Sequence, residues 1–191
     1  MKHLLSTTLA VLAVFATSSA WSETIFNGTD LAGWKVEGAP LWSAKEGVLT
    51  GRSDTKKSSS LLWTEKKFKD FIFECDFRYQ GTPDSGIYLR HLDDQIQIGT
   101  SISKKREMTG SVYVGSKKGY VAEAKGVTDV LKVGDWNHIK IAVKGNQYVI
   151  EINGKKLLEY TSVTAIPEGP IALQVHQGID MAIDFRNIEV K

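Results

Sequence analysis

Cysteine is nearly absent from this chain, and that scarcity excludes several kinds of chemistry. The 191 residues include one cysteine, Cys75, so no internal disulfide bond can form. In the segment FIFECDF, Cys75 alternates in step with Phe71, Phe73 and Phe77, which places it on an apolar strand face. We therefore expect a buried, unreactive thiol rather than a nucleophile or a zinc ligand.

Metal-binding motifs and strong net charge are also missing. The sequence has no HxH, HExxH or CxxC spacing and no aspartate-rich calcium loop. No cofactor is required by this pattern, although spacing alone leaves open a divalent metal bound by residues distant in the chain. The formal net charge is +2, which becomes +1 without Lys2 of the leader described next. Such a small charge indicates neither nucleic acid nor an acidic membrane surface as a partner.

The one long apolar run lies at the N-terminus. Residues 1–20 combine Lys2 and His3 with an apolar stretch from Leu4 to Phe15 and end in small residues, the pattern of a secretory signal peptide. The stretch is shorter than the roughly 20 apolar residues that a membrane-spanning helix needs. We expect residues 21–191 to form a single exported domain, periplasmic or secreted, without membrane contact once the signal is removed.

Strand-like alternation dominates the rest of the chain. Segments such as DFIFECDFRY and WNHIKIAV alternate with period two, and Asn153-Gly154 between two such runs is a strong signal for a type I′ hairpin. Roughly a dozen short strands, with turns about every 8–12 residues, predict an all-β jelly-roll sandwich of two antiparallel sheets. The least strand-like segments, 101–109 and 117–133, are expected to be loops with room for a short helix. Four tryptophans are expected to belong mostly to the core: Trp34, Trp42, Trp63 and Trp136.

Polar residues occupy one face of a predicted strand in the segment HLDDQIQI. Ile96 and Ile98 would face the core, so Asp93, Gln95 and Gln97 would share the opposite face. An amide both donates and accepts, which suits the recognition of sugar hydroxyls. Asp93 also fits a plain turn residue. Because a retaining glycosidase needs two carboxyl groups about 5–5.5 Å apart and this strand offers one, that mechanism is disfavoured.

Two further strands repeat this polar arrangement. Gln174 and His176 share a face in ALQVHQG, and Tyr88 shares a face with Arg90 in GIYLR. His176 is a candidate catalytic group, although a lone histidine is often structural. Arg90 could clamp a carbonyl oxygen or an enolate, or form a structural ion pair. Tyr88 could contact a sugar or pack, whereas His138 is expected on a solvated outer face.

Several segments, taken in order and running nearly end to end, resemble the 3-keto-disaccharide hydrolase family, whose members have a concanavalin A-like lectin and glucanase fold. They are IFNGTDLAGWKVEG, LWSAKEGVLTG, LLWTEKKFKDFIFECDFRY, DSGIYLR, QIQI, TGSVYVG, GDWNHIKIAVKGNQYVIEINGKKLLEY and GPIALQVHQGIDMAIDFRNIEVK. The chain departs from the family at Gln95, where a glutamate is common. If that carboxylate is essential elsewhere, the departure bears on activity.

The resemblance implies substrates in which the C3 hydroxyl of a glucose unit has been oxidised to a ketone. The ketone acidifies the C2 proton, so one base and one oxyanion stabiliser suffice to expel the aglycone from C1. His176 or Asp93 would be the base, and Arg90 with Gln97 the stabiliser. The remaining expected substrate contacts are Gln95, Gln174, Tyr88 and Tyr113.

Two other functions remain open from the sequence. The same fold serves lectins, so a non-catalytic carbohydrate-binding module is the main alternative to a glycoside-cleaving enzyme. A scaffold domain whose polar face is covered by its own loops is a third. A carbohydrate is the expected partner for the first two.

Overall fold

Two antiparallel β-sheets packed face to face make up the protein. The computed structural model describes residues 22–191, and every strand pair within it is antiparallel. The residues before Ser22, which include the predicted signal peptide, lie outside the described residues. The all-β sandwich predicted from the alternation is confirmed.

Sheet 1 has eight strands. In spatial order they are β14 (Lys155–Thr161), β13 (Gln147–Ile152), β12 (Asn137–Lys144), β6 (Phe71–Tyr79), β16 (Ala182–Val190), β4 (Val48–Arg52) and β3 (Trp42–Lys45), with β1 (Glu23–Thr24) paired to β16.

Sheet 2 also has eight strands. Their order is β11 (Tyr120–Ala122), β10 (Val112–Tyr113), β8 (Gln95–Ser101), β7 (Asp84–Leu89), β15 (Ile171–Val175), β5 (Ser60–Thr64) and β2 (Trp34–Gly38), with β9 (Arg106–Glu107) paired to β8.

The helical content is limited to two short segments. They are helix α1 (Gly115–Lys118) and a 3₁₀ turn at Val127–Asp129. The helix overlaps the start of segment 117–133, which was predicted to be a loop, and the turn lies within that segment. In the described part of the chain, no helix has both the length and the apolar composition needed to cross a membrane.

The core lies between the sheets and follows from the alternation of each strand. Along β6, Phe71, Phe73, Cys75 and Phe77 point inward and are almost completely buried, while the residues between them are half-buried on the outer face. Burial raises the pKa of the Cys75 thiol well above its usual value, because a thiolate would lose its hydration. The prediction of an inert, buried cysteine is confirmed.

The hairpin between β13 and β14 shows how the turn chemistry sets the register. Asn153 and Gly154 have φ values of 49° and 79°, the left-handed conformation that a type I′ turn requires at both central positions. The flanking residues Ile152 and Lys155 are paired directly. The turn predicted from the Asn-Gly pair is confirmed.

Candidate functional site

Three central strands of sheet 2 carry polar side chains on the face that points away from sheet 1. The inward residues of β7, β8 and β15 are fully buried in the core, as predicted: Ile87, Leu89, Ile96, Ile98, Leu173 and Val175. Strand alternation therefore turns the residues between them outward. These outward residues build a candidate carbohydrate site.

The strand register places aromatic and amide side chains side by side. Trp63 on β5 is paired with Ala172 on β15, and Ala172 with Tyr88 on β7. Tyr88 is in turn paired with Gln95 on β8, and Gln95 with Tyr113 on β10. One row of paired residues thus crosses the sheet, and most members of the predicted site lie in it or next to it.

The amides of three glutamines form one hydrogen-bonded cluster. Gln95 Nε2 lies 3.1 Å from Gln97 Oε1 and 3.2 Å from Gln174 Oε1, and donates to both. Gln97 Nε2 donates to Asp84 Oδ1 over 2.8 Å. Gln95 and Gln97 share a strand face, as predicted, and the structure brings Gln174 of β15 next to them. Gln95 and Gln97 are nearly fully buried there.

Gly86 makes room for this cluster. It lies on β7 opposite Gln97, and the side chain of Gln95 crosses directly above it. A Cβ atom at Gly86 would lie 2.2 Å from Nε2 and 2.6 Å from Cγ of Gln95, which is closer than non-bonded atoms approach. The absence of a side chain at Gly86 is therefore what allows Gln95 to reach its two partners.

The carboxylate of Asp84 determines which amide atoms of the cluster donate and which accept. Since Asp84 accepts from Gln97, the carbonyl oxygen of Gln97 is left to accept from Gln95. At the other end, Gln174 Nε2 donates to the hydroxyl oxygen of Tyr88 over 3.1 Å. With its oxygen acting as acceptor, the Tyr88 hydroxyl keeps its proton for donation to a ligand.

Tyr88 and Tyr120 stay protonated because they are buried. Burial, with smaller contributions from the neighbouring Tyr113 and Asp84, raises the pKa of Tyr88 well above its usual value. Burial likewise raises the pKa of Tyr120, whose ring is 5.2 Å from that of Tyr113, centroid to centroid. Both phenols are therefore neutral donors rather than bases.

A cavity of about 470 Å³ opens above the amide cluster. Its floor is formed by Gln95, Gln97, Gln174 and Asp84, and three tyrosines are among its other lining residues. Those other lining residues include Tyr88, Tyr113, Tyr120, Leu92 and His176. Six of the eight predicted site residues thus meet at this cavity.

His176 contributes the histidine of the cavity. Its Nδ1 lies 2.6 Å from the carbonyl oxygen of Gln177, which can only accept, so Nδ1 carries a proton. In the neutral ring Nε2 is then the acceptor nitrogen. The position of His176 at the cavity is compatible with a base, and its catalytic role stays a prediction.

Arg90 does not reach the cavity, which corrects the prediction that it shares a face with Tyr88. Strand β7 ends at Leu89, and Arg90 has a φ of 68°, which breaks the alternation. The guanidinium donates to the carbonyl oxygens of Gly145 at 2.7 Å and Ile166 at 2.8 Å, and also to that of Lys69. Its side chain is 1% exposed, so it stabilises loops and cannot clamp a ligand.

Asp93 also falls outside the amide cluster, because it belongs to the turn before β8 and its side chain is exposed. The turn alternative for Asp93 is the one observed. Its neighbour Asp94 is fully buried instead and accepts hydrogen bonds from Tyr148 at 2.6 Å and Thr164 at 2.6 Å. Asp94 therefore stabilises the fold.

Among the cavity residues missing from the predicted set, Asp84 and Tyr120 are the two with a titratable side chain. The signal for Asp84 was present in the sequence: it precedes Gly86 by two and Tyr88 by four in DSGIYLR, so all three share a strand face. Tyr120 lies in a segment expected to be a loop, where no alternation assigns a face.

The described residues contain no cluster of three or more His, Cys, Asp or Glu side chains arranged to hold a metal ion. His138 lies on the exposed outer face of sheet 1, as expected, where its Nδ1 is 3.0 Å from Asp76 Oδ1.

Comparison with known proteins identifies the family. Residues 21–191 match the family described as the 3-keto-alpha-glucoside-1,2-lyase-like domain. The chain belongs to this family. The resemblance read from the sequence segments is thereby confirmed, and the family description names a lyase. A search of curated proteins found no relative of significant similarity.

Solved structures similar to this lyase-like domain share its fold. A candidate glycosyl hydrolase from Parabacteroides distasonis is 22% identical, with a TM-score of 0.70 over 90% of this chain and 98% of that one. The carbohydrate-binding module CBM66 from Bacillus subtilis is 19% identical, with a TM-score of 0.59 over 86% and 97%. A protein from Bacillus subtilis with a galectin-like fold is 16% identical, with a TM-score of 0.67 over 90% and 94%. These likenesses confirm the lectin-type jelly roll.

Proposed function

We propose that this protein is an exported enzyme that cleaves the glycosidic bond of 3-keto-glycosides in the cavity above the amide cluster. Membership of the lyase-like family supports the substrate class. The observation that carries the proposal is the combination of three hydrogen-bonded amides, those of Gln95, Gln97 and Gln174, with one histidine among the described residues that line the cavity. An uncharged sugar is matched by amides, and an enolisable ketone needs one base.

The reaction we propose is an elimination across C1 and C2 of the keto sugar. Nε2 of His176 removes the proton from C2, and the electron pair moves toward the C3 carbonyl to give an enolate. The C1–O bond then breaks, the aglycone oxygen takes a proton from solvent or from His176, and a C1=C2 double bond remains. Addition of water to that double bond would complete a net hydrolysis.

Tyr88 replaces Arg90 as the stabiliser of the enolate in this proposal. Its hydroxyl is held by Gln174 and retains its proton across the range in which enzymes work, because burial raises its pKa. A preoriented donor of this kind stabilises negative charge as it develops, which is the role first given to the guanidinium.

The test is a product assay on the purified protein. We expect release of 4-nitrophenol from 4-nitrophenyl 3-keto-glucoside and none from the matching ordinary glucoside. His176→Gln removes the base and keeps a polar side chain, so kcat should fall by about 10²–10⁴-fold. The matched control is His138→Gln on sheet 1, which should not change kcat. Turnover by His176→Gln at the wild-type rate would remove the mechanism.

Isotope exchange separates elimination from direct hydrolysis. In D₂O, the elimination and rehydration route places deuterium at C2 of the sugar product, which mass spectrometry detects as one added mass unit. Direct displacement at C1 leaves the C2 proton in place.

A carbohydrate-binding module is the second candidate, and one observation favours it. Asp84 supplies the one carboxylate among the described residues that line the cavity. This carboxylate is nearly buried and accepts hydrogen bonds from Gln97 and from the backbone N–H of Ile102 at 2.8 Å. No free pair of carboxylates lines it. Tight, reversible binding of 3-keto-glucosides with intact substrate in every sample would establish this module and exclude the enzyme.

A further inference from the structure

A second cavity of about 860 Å³ lies on the same face of sheet 2, on the other side of Tyr88. Trp63 on β5 and Pro170, just before β15, line it together with Leu92 of the β7–β8 turn. The catalytic proposal above does not use this cavity, which is larger than the one above the amides.

The two cavities are neighbours. Leu92 lines both of them. The rings of Trp63 and Tyr88 are 6.3 Å apart, centroid to centroid, above the small side chain of Ala172 that separates them in the sheet. Since neighbouring strands are about 4.8 Å apart, Trp63 lies about 10 Å from the backbone of Tyr88. A substituent on a sugar in the first cavity would therefore reach Trp63 by passing Leu92.

The second cavity offers an apolar, planar surface at Trp63, although charged and titratable side chains line it as well: Lys35, Glu37, Glu65, Arg90, His91 and Asp93. Trp63 is half-buried, and its indole N–H donates to Glu37 Oε2 at 2.8 Å, which fixes the orientation of the ring. Leu92 is 51% exposed. A fixed indole beside Leu92 and Pro170 suits the face of an aromatic ring.

Only part of the polar lining of this cavity has partners within the protein. The Thr64 hydroxyl donates to the carbonyl of Lys66 at 2.8 Å and accepts from the N–H of Ile171 at 2.9 Å. Nε of Arg90 and Nε2 of His91 are buried and have no hydrogen-bond partner among the described residues. An aromatic group stacked on the indole of Trp63 needs no polar partner.

We propose that the second cavity binds a planar, aromatic aglycone of the glycoside whose sugar occupies the first cavity. The inference rests on the proposed function for its orientation, because it assigns the leaving group of the same substrate. It names the substrate class as aryl glycosides in preference to disaccharides, and it makes Trp63 the residue that selects them.

The first test needs no catalysis. We would titrate the purified protein with 4-cresol, an aromatic alcohol that is neutral at pH 7, and follow the indole N–H resonance of Trp63 by NMR, assigned from the Trp63→Phe variant. We expect this resonance to shift with saturation, and Trp63→Ala to weaken 4-cresol binding by about tenfold or more. Trp136→Ala, on sheet 1, is the matched control and should bind 4-cresol as the wild type does.

The second test compares substrates. kcat/KM for benzyl 3-keto-glucoside should exceed that for methyl 3-keto-glucoside by about tenfold, since the two leaving alcohols have similar acidity and differ in the aromatic ring, and Trp63→Ala should remove this difference. No shift of the Trp63 resonance in the millimolar range of 4-cresol would overturn the inference. Displacement of 4-cresol by free glucose would assign the cavity to a second sugar if the wild type and Trp63→Phe needed the same glucose concentration. That result would overturn the inference too.

The outcomes of the two proposals are distinguishable. Binding of 4-cresol at Trp63 without turnover of any keto-glucoside would leave the aromatic subsite in place and refute the enzyme. Turnover with equal kcat/KM for the benzyl and methyl compounds would support the enzyme and refute the subsite.

Discussion

The outer faces of the two sheets differ in how they satisfy their polar groups. On sheet 1, side chains form ion pairs with each other, such as Arg78 with Asp184 at 2.8 Å and Arg186 with Asp76 at 3.2 Å. On sheet 2, neutral amides bond to one another around the single carboxylate of Asp84. A face covered with ion pairs is costly to dehydrate, whereas a face of amides can exchange water for sugar hydroxyls at little cost.

Two outward-facing tryptophans in the described part of the chain show the same difference. On sheet 1, Trp136 is covered by the guanidinium groups of Arg78 at 4.5 Å and Arg186 at 4.1 Å from the ring centroids, so its ring is occupied by the protein itself. On sheet 2, Trp63 has its N–H fixed by Glu37 and lines a cavity. Similar residues therefore serve stability on one sheet and are placed for a ligand on the other.

The largest expected effect comes from filling the space above Gly86. Gly86→Ala introduces a methyl group that the side chain of Gln95 cannot avoid, so the amide cluster must break. We expect ligand affinity to fall at least about 100-fold, and stability to fall by about 1–3 kcal/mol through overpacking. Calorimetric titration with a keto-glucoside and thermal unfolding would measure the two effects.

The double variant Gly86→Ala/Gln95→Ala separates strain from recognition. Removing the side chain of Gln95 should relieve the clash and restore most of the lost stability without restoring binding. Full recovery of ligand affinity in the double variant would show that the amide cluster does not contact the ligand.

An intermediate effect on ligand affinity is expected when Asp84 no longer sets the orientation of the amides. Asp84→Asn replaces an obligatory acceptor with a group that also donates, so the orientation of Gln97 and Gln95 is no longer enforced. Losing a charge-assisted hydrogen bond of this kind costs about 1.5–3 kcal/mol, which corresponds to roughly a tenfold to hundredfold loss of affinity if the cost falls on binding.

Asp184→Asn is the matched change on sheet 1. Asp184 accepts from Arg78 and from Thr50 at 2.7 Å, so its loss should lower the melting temperature and leave ligand affinity unchanged. Equal effects of the two substitutions on affinity would contradict the assignment of different roles to the two faces.

The smallest effect concerns the acid stability of sheet 1. Burial by itself would raise the pKa of Asp76, but hydrogen bonds from His138, Asn187 and Arg186 outweigh it and hold the pKa below its usual value. A carboxyl group with a lowered pKa in the folded state stabilises the protein above about pH 4, its unfolded pKa, and this stabilisation disappears as the pH falls through the folded value. Asp76→Asn should therefore lower the melting temperature at pH 7 by about 2–4 °C, if the pairs contribute about 1 kcal/mol.

Thermal unfolding of the wild type and of Asp76→Asn between pH 7 and pH 2 checks this expectation. The two melting curves should converge in acid, and ligand affinity at pH 7 should be the same for both. A difference in melting temperature that persists at pH 2 would assign the effect to packing rather than to charge.

Much of the architecture could be predicted from local pattern. The alternation that buries Ile96, Ile98, Leu173 and Val175 also turns Gln95, Gln97 and Gln174 outward, since the side-chain period of a strand is two. The same rule, extended two residues upstream of Gly86, would have found Asp84. Cys75 and the Asn153-Gly154 turn follow from equally local chemistry.

The rule failed where a strand ended. Arg90 adopts a positive φ, so the alternation that holds for Tyr88 does not carry over to it, and its guanidinium turns toward the carbonyls of Gly145 and Ile166. Both carbonyls lie more than 50 residues away from Arg90 in the sequence. Asp93 was assigned to the same face for the same reason, because the turn that resets the alternation before β8 has no strong sequence signal.

The sequence by itself determined the class of fold, the apolar core and the type of side chain that the central strands expose, because each depends on residues one or two positions apart. The tertiary structure alone decided which of those side chains meet. Strand order brings β8, β7, β15 and β5 together from distant parts of the chain, and so places Gln95 beside Gln174 and Trp63 within reach of Tyr88. Contacts of this kind depend on which strands are neighbours, and a period-two pattern carries no information about that.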